Sequence, residues 1–227
     1  MWDAGTLRQL ADLCDRHHVT VISDEIHADL TLPGFRHTSY ATVSDTARDH
    51  SITFIAPSKT FNIAGLSSSV AYIHNPQLRQ TFFNYIDGYE LANGNLFAYI
   101  GAESAFRHGG PWLESLKQYL QENISHAIEY LHRELPSVRV MRPEASFLLW
   151  MDFSALGLPH AELRRRFINE AQVALNDGTD FGGTGYEGCF RMNVGCPRSL
   201  LDNGLQRLVR CLKNGHTSSS SQRTFGT

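Results

Sequence analysis

Two side chains that can carry chemistry, a carboxylate and an amine, each follow a short apolar run in the first third of the chain. Asp24 comes after residues 19–22, and Lys59 comes after residues 51–56. If both runs are neighbouring parallel strands, their carboxyl ends form one edge of a sheet, which is where ligands of α/β sheets bind. Asp24 and Lys59 could form an ordinary ion pair. Lys59 could also be a solvated loop lysine, as most lysines in loops are. We expect instead a Lys59 amine between buried strands, where burial lowers its pKa and prepares it for imine formation or proton abstraction.

Further candidate residues lie close to Asp24 in sequence or in the C-terminal part of the chain. His27 follows Asp24 by one helical turn and could point toward the same site, although a histidine taken alone is more often structural. Glu25 and Asp29 are expected to be exposed neighbours rather than catalysts. Arg191 opens an apolar run at 190–194, and its guanidinium could bind a substrate carboxylate through two parallel hydrogen bonds. Arg198 is a competing candidate, with a helix-start or surface role about as plausible.

Alternating helical and strand patterns place these residues in an α/β protein. Apolar spacing of three or four residues predicts helices, the first of them capped by Thr6, and short β-branched or aromatic runs predict strands. The predicted helices are 6–17, 78–85, 95–106, 112–135, 161–171 and 200–212, and the predicted strands are 19–22, 51–56, 69–73, 146–153 and 190–194. The 112–135 helix is long enough to connect a large domain (1–111) to a small one (136–214), and the polar residues 215–227 are expected to be disordered.

Composition excludes several classes of function. The chain is 42% hydrophobic and 19% charged with a net charge of -3, which gives no support for nucleic-acid binding. No apolar run approaches the roughly 18 residues of a membrane span. The four cysteines have no metal-binding spacing, and with no leader they indicate reduced thiols in the cytoplasm. The abrupt entry into a helix at the N-terminus suggests a piece of a longer protein.

Three segments together resemble a known family. They are Ser-Asp-Glu-Ile-His at 23–27, Ala-Pro-Ser-Lys-Thr-Phe-Asn-Ile-Ala-Gly-Leu at 56–66 and Arg-Met-Asn-Val-Gly-Cys-Pro-Arg-Ser at 191–199. In order, spacing and neighbours they resemble fold type I enzymes of the aspartate aminotransferase superfamily, which use pyridoxal 5'-phosphate (PLP). Within it they are most similar to the branch of cystathionine β-lyases and cysteine-S-conjugate (C–S) β-lyases. The resemblance implies part of a large PLP-binding domain with a mostly parallel sheet, a small α+β C-terminal domain, and a homodimer.

Residue by residue, the resemblance also implies roles. Lys59 matches the lysine that forms the Schiff base with PLP, and Asp24 matches the partner of its pyridine nitrogen. His27 lies where relatives place a Tyr or His against the phenolic oxygen. Arg191 matches the arginine that binds the substrate's α-carboxylate.

The phosphate end of the cofactor is matched less completely. Ser58 lies near it, but many relatives have a serine where this chain has Ala56 and an arginine where it has Ser67. An Asn-Pro-x-Gly turn, a stacking aromatic residue and a phosphate-binding helix N-terminus would precede the first helix in relatives. The chain therefore resembles the C-terminal 55 to 60% of such an enzyme.

The resemblance implies cleavage of cystathionine or another cysteine S-conjugate to pyruvate, ammonia and a thiol. Lys59 would be the general base at Cα. A PLP-dependent aminotransferase with the same residues is the nearest alternative. A non-catalytic remnant of such an enzyme is a second alternative.

Overall fold

The computed structural model describes residues 1–91 and 94–217, which form two compact units. The first unit comprises Met1–Gln118 together with the short segment Glu144–Ser146. The second comprises Tyr119–Pro143 and the chain from Phe147 onward. The boundary falls inside the long helix α6 (Gly110–Glu134), so the separate domain limits expected from the sequence remain a prediction.

A three-stranded sheet forms the centre of the first unit. Its strands are β1 (Val21–Asp24), β2 (Ser51–Ile55) and β3 (Val70–Tyr72), in the order β1-β2-β3. β1 pairs in parallel with β2, as predicted, whereas β3 pairs antiparallel to β2. The described part of this sheet is thus mixed rather than mostly parallel, within an α/β architecture that confirms the predicted class.

Helix α1 (Ala4–Arg16) packs beside α2 (Asp45–Asp49) over a small core. This core consists of hydrophobic residues that are each less than a tenth exposed: Leu7, Ala11, Tyr40, Val43 and Ala47. Asp3, not Thr6, caps α1, because its carboxylate accepts hydrogen bonds from the backbone N–H groups of Gly5 and Thr6. The helix therefore begins two residues earlier than its apolar pattern predicts.

Several elements of the first unit leave large apolar surfaces exposed. Ile22 in β1 is 68% exposed, so the expectation that this strand is buried is wrong. After the single turn of α3 (Pro57–Thr60), helix α4 (Pro76–Gly88) has no buried residue. In α5 (Leu96–His108) the buried residue is Ala98, whereas Phe97 is 71% exposed. Apolar patches of this kind usually mark a surface that associates with something else.

The second unit is an antiparallel sheet covered by helices. Its strands are β4 (Arg139–Met141), β5 (Leu148–Asp152), β6 (Asn176–Asp177) and β7 (Cys189–Asn193), in the order β4-β5-β7-β6. β5 and β7 present Leu149, Met151 and Phe190 to the core, and the part of α6 beyond residue 118 adds Ile124 and Leu131. Alternation along each strand places every second side chain inside. Sequence patterns missed β4 and β6, which are only three and two residues long.

The remaining helices of the second unit differ from prediction at their ends. The predicted 161–171 helix is α7 (His160–Arg165) followed by a π-helical segment, Arg166–Glu170, and a short helix α8 (Thr179–Gly182) lies between β6 and β7. Helix α9 (Arg198–Thr217) continues past residue 212, so the predicted disordered tail is wrong for 215–217, and 218–227 lie outside the described residues. Among the described helices, none combines the length and apolarity needed to cross a bilayer.

Candidate functional site

Strand register places the two principal candidates at the same edge of the first unit's sheet. In the parallel pairing Asp24 lies opposite Phe54, so β1 and β2 end side by side. The chain then enters α3, the third residue of which is Lys59. Both side chains are exposed, so the expected burial of the Lys59 amine is wrong. Oδ1 of Asp24 accepts a hydrogen bond from the backbone N–H of Ile26, which orients the carboxylate at the strand end.

A polar contact connects the segment after β1 to the turn that carries Lys59. The fully buried Thr60 donates from Oγ1 to Oδ2 of Asp29 at 3.1 Å. The backbone N–H of Glu25 also donates to the carbonyl of Phe54 at 2.8 Å. Asp29 is exposed, as expected. These two bonds hold the turns after β1 and β2 together, so the amine and the carboxylate belong to one local structure.

Glu25 is buried, contrary to expectation, and it organises the loop at 37–40. Its Oε1 accepts from the hydroxyls of Ser23 and Ser39 and from the backbone N–H of Tyr40, at 2.9–3.0 Å. Its Oε2 lies 2.8 Å from Nε2 of His37. Burial alone raises the pKa of Glu25, but the hydrogen bonds from His37, Tyr40 and the serines outweigh it and hold that pKa below the ordinary value.

His27 is half-buried and contacts a residue far away in sequence. Its Nδ1 lies 3.0 Å from the hydroxyl oxygen of Ser146, which belongs to the short segment Glu144–Ser146 of the same unit. Sequence reasoning missed Ser146 because 119 positions separate the two residues and no local pattern connects them. His27 thus has a defined ring contact beside the Asp24 strand end.

The residues considered for phosphate binding lie on the turn after β2. Ser58 is half-buried in α3, and its carbonyl accepts from the N–H of Ile63. Ala56 precedes α3 and offers no side-chain cap, while Ser67 adopts a left-handed backbone with φ of +50°. Nothing in these contacts distinguishes a phosphate ligand, so the role of Ser58 remains a prediction.

The two candidate arginines of the second unit have different surroundings. Arg198 begins α9, and its Nε donates to Oδ1 of the fully buried Asn123. Arg191, in β7, donates from an Nη atom to Asn176 at 3.2 Å and lies over the Phe181 ring, with Cζ 4.5 Å from the ring centroid. Its buried Nε has no acceptor among the described residues. The Nε of Arg198 thus has a partner within the protein, whereas the Nε of Arg191 has none among the described residues, and the carboxylate-binding role of Arg191 remains a prediction.

The donor set fits PLP in kind. An accessible amine can condense with an aldehyde, a carboxylate can stabilise a protonated ring nitrogen, and an imidazole can donate to a phenolic oxygen. The first unit supplies all three at the end of β1 and on the turns after β1 and β2, and its own hydrogen bonds join these turns. These contacts do not test the individual roles, which stay proposals.

Comparison with known proteins agrees with this composition of the site. Residues 1–208 match the family model described as aminotransferase class I and II. A curated relative, the cystathionine beta-lyase PatB of Bacillus subtilis (strain 168), is 44% identical over 93% of this chain and 54% of its own length.

Two solved structures are also similar. Cystalysin from Treponema denticola, which contains a pyridoxal 5'-phosphate cofactor, is 31% identical with a TM-score of 0.88, over 94% of this chain and 54% of its own. The PLP-bound C-S lyase of Staphylococcus hominis, complexed with L-cycloserine, is 31% identical with a TM-score of 0.83, over 93% and 51%. The chain spans about half the length of the relatives it matches, and it belongs to the aminotransferase class I and II family.

Proposed function

We propose that this chain carries the lysine-bearing part of a PLP-dependent carbon–sulfur β-lyase. The substrate would be an L-amino acid with a sulfur substituent on Cβ, such as cystathionine, and the products pyruvate, ammonia and a thiol. The observation that carries the proposal is the parallel β1–β2 register together with the Thr60–Asp29 hydrogen bond: Asp24 ends β1, and Lys59 lies on the turn that follows β2. The 44% identity to a protein named cystathionine beta-lyase supports the choice of reaction.

Each candidate residue would have a defined task in this reaction. When bound, PLP supplies an electron sink for charge that develops at Cα. Lys59 would hold the cofactor through Nζ and would take the Cα proton of the substrate as general base. The Asp24 carboxylate keeps the ring nitrogen protonated, and His27 orients the phenolic oxygen. The Arg191 guanidinium binds the α-carboxylate of the substrate.

Covalent trapping tests the cofactor part of the proposal. The chain is incubated with PLP, reduced with borohydride, digested and mapped by mass spectrometry. We expect the pyridoxyl group on Lys59 and its loss in K59A, while K117A, which removes an ion-paired lysine of α6, keeps it. Labelling spread over surface lysines, or no uptake by the wild-type chain, would support the non-catalytic remnant instead.

Product analysis separates the lyase from an aminotransferase, the activity that the family description names. Incubation with cystathionine should release pyruvate and a thiol in equal amounts. Exchange between amino acids and 2-oxo acids without thiol release would assign the chain to transamination.

The proposal extends to a homodimer that acts in the cytoplasm. Helix α5 exposes Leu96, Phe97, Tyr99 and Ile100, each by more than half, and a second copy of the chain would cover this face. All four cysteines are free thiols, which suits a reducing compartment. Sedimentation should show a dimer that F97D dissociates, whereas L200D, at an exposed leucine of α9, leaves it intact. A monomeric wild type would contradict the dimer.

A further inference from the structure

We propose that Ser146 is a positioning residue that determines which ring nitrogen of His27 carries the proton. Its hydroxyl oxygen lies 3.0 Å from Nδ1 of His27, close enough for one direct hydrogen bond. A hydroxyl can both donate and accept, whereas each ring nitrogen of a neutral imidazole does only one of the two, and the unprotonated ring nitrogen is a stronger acceptor than a hydroxyl oxygen. The stronger arrangement therefore has Ser146 donating to Nδ1, which places the ring proton on Nε2.

The backbone around Ser146 is held in a way that fixes this contact. Ser146 has φ of +72°, a left-handed conformation that a non-glycine residue seldom adopts. Its own N–H donates to the carbonyl of Leu30, and the backbone carbonyl of Glu144 accepts from the N–H of Leu32. Thr31 and Ala145 form an antiparallel bridge between these two bonds.

This short ladder joins Glu144–Ser146 to the chain just after His27. An unfavourable backbone conformation persists where the surrounding structure over-determines it, and such residues concentrate at functional sites. The strained residue here is also the one whose hydroxyl reaches the ring of His27. The geometry therefore points to orientation of His27 as the task of the segment.

The consequence for the site follows from the proton on Nε2. With Nδ1 accepting from Ser146, Nε2 is a donor, which is the form that an anionic oxygen recognises. Donation to the phenolic oxygen of PLP rests on the proposed function, whereas the tautomer is a property of this chain alone. The two can therefore fail separately: trapping at Lys59 tests the cofactor, and the proton position tests Ser146.

Nitrogen-15 NMR of the labelled 227-residue chain, without cofactor at neutral pH, measures the proton position directly. In the wild type we expect an N–H signal at Nε2 of His27 and an unprotonated, hydrogen-bonded signal at Nδ1. In S146A both nitrogens should shift toward the average of the two tautomers. The ring of His37, which contacts Glu25 at 2.8 Å, is the control within the same spectrum and should not change.

A second variant separates the hydroxyl from the strained backbone. S146G removes the hydroxyl and relieves the left-handed strain, whereas S146A removes the hydroxyl and keeps the strain. Equal tautomer shifts in both variants assign the effect to the hydroxyl. A wild-type proton on Nδ1, or an unchanged His27 in a folded S146A or S146G, overturns the inference, and the wild-type spectrum can overturn it even if both variants unfold.

Discussion

Replacement of Glu25 by alanine should destabilise the first unit strongly, because it removes the acceptor for four donors. The side chain is 6% exposed, and its partners are Ser23, His37, Ser39 and the backbone of Tyr40. Removing one partner from a buried charged network costs about 3–5 kcal/mol, since the remaining polar groups stay buried without their bonds. Glutamine keeps an acceptor oxygen but loses the charge, so E25Q should cost about 1–2 kcal/mol.

Urea unfolding measures the loss of global stability, and hydrogen exchange measures the loss of local stability around Glu25. The Tyr40 amide, which donates to the Glu25 carboxylate, should exchange about a hundredfold faster in E25A, as expected for a local loss of about 3 kcal/mol. The neighbouring exposed carboxylate provides the matched control, since D24N should change the unfolding free energy by no more than about 0.5 kcal/mol.

The pH dependence of E25Q tests the charge itself. Because folding lowers the pKa of Glu25, its contribution is complete above the ordinary value of 4.5 and is lost as pH falls through the folded value. Wild type and E25Q should therefore converge in stability in acid. An E25A variant as stable as D24N, or an unchanged Tyr40 exchange rate, would refute the role assigned to this carboxylate.

Three further predictions concern the second unit. I124A should lower its unfolding free energy by about 2–5 kcal/mol in urea, because Ile124 is fully buried, whereas I168A at a 55% exposed position should change it little. Hydrogen bonds from Thr179 and His160 outweigh the effect of burial and lower the pKa of Asp177 to about 2. Its stabilisation should be present above pH 3.8 and disappear toward pH 2 in acid titrations, and D177N should lack that acid-dependent loss. R191K keeps the charge but not the planar fork, so calorimetry should show at least about tenfold weaker binding of the amino-acid substrate, and unchanged binding would exclude Arg191 as its carboxylate ligand.

Much of the architecture could be predicted from apolar spacing. The positions of α1, α4, α5, α6 and α9, and of the strands β1, β2, β3, β5 and β7, follow from periodicity, with shifts of a few residues at their ends. Strands β4 and β6 were not predicted, because they are short, include polar residues such as Arg139 and Asn176, and form strands only through pairing with β5 and β7. The cap of α1 also required the structure, since Asp3 and Thr6 are both good caps by residue type.

The candidate residues come from sequence motifs, and their surroundings come from the structure. The motifs at 23–27, 56–66 and 191–199 identify Asp24, Lys59 and Arg191. They do not show that Asp24 and Lys59 are exposed in this chain, because exposure depends on what covers the sheet edge. The motifs also do not show which side chains the two arginines contact. Arg191 donates to Asn176 and Arg198 donates to Asn123, and both partners are distant in sequence.

The sequence by itself determined the family, the chemistry available and the order of helices and strands, because these depend on residue type and local spacing. Tertiary structure decided which of two adjacent carboxylates is buried. Asp24 and Glu25 point to opposite sides of an extended chain, and the loop at 37–40 supplies the hydrogen bonds that bury Glu25. It also brought Ser146 to His27. Contacts between residues so far apart along the chain arise only when the strands and turns that carry them have packed together.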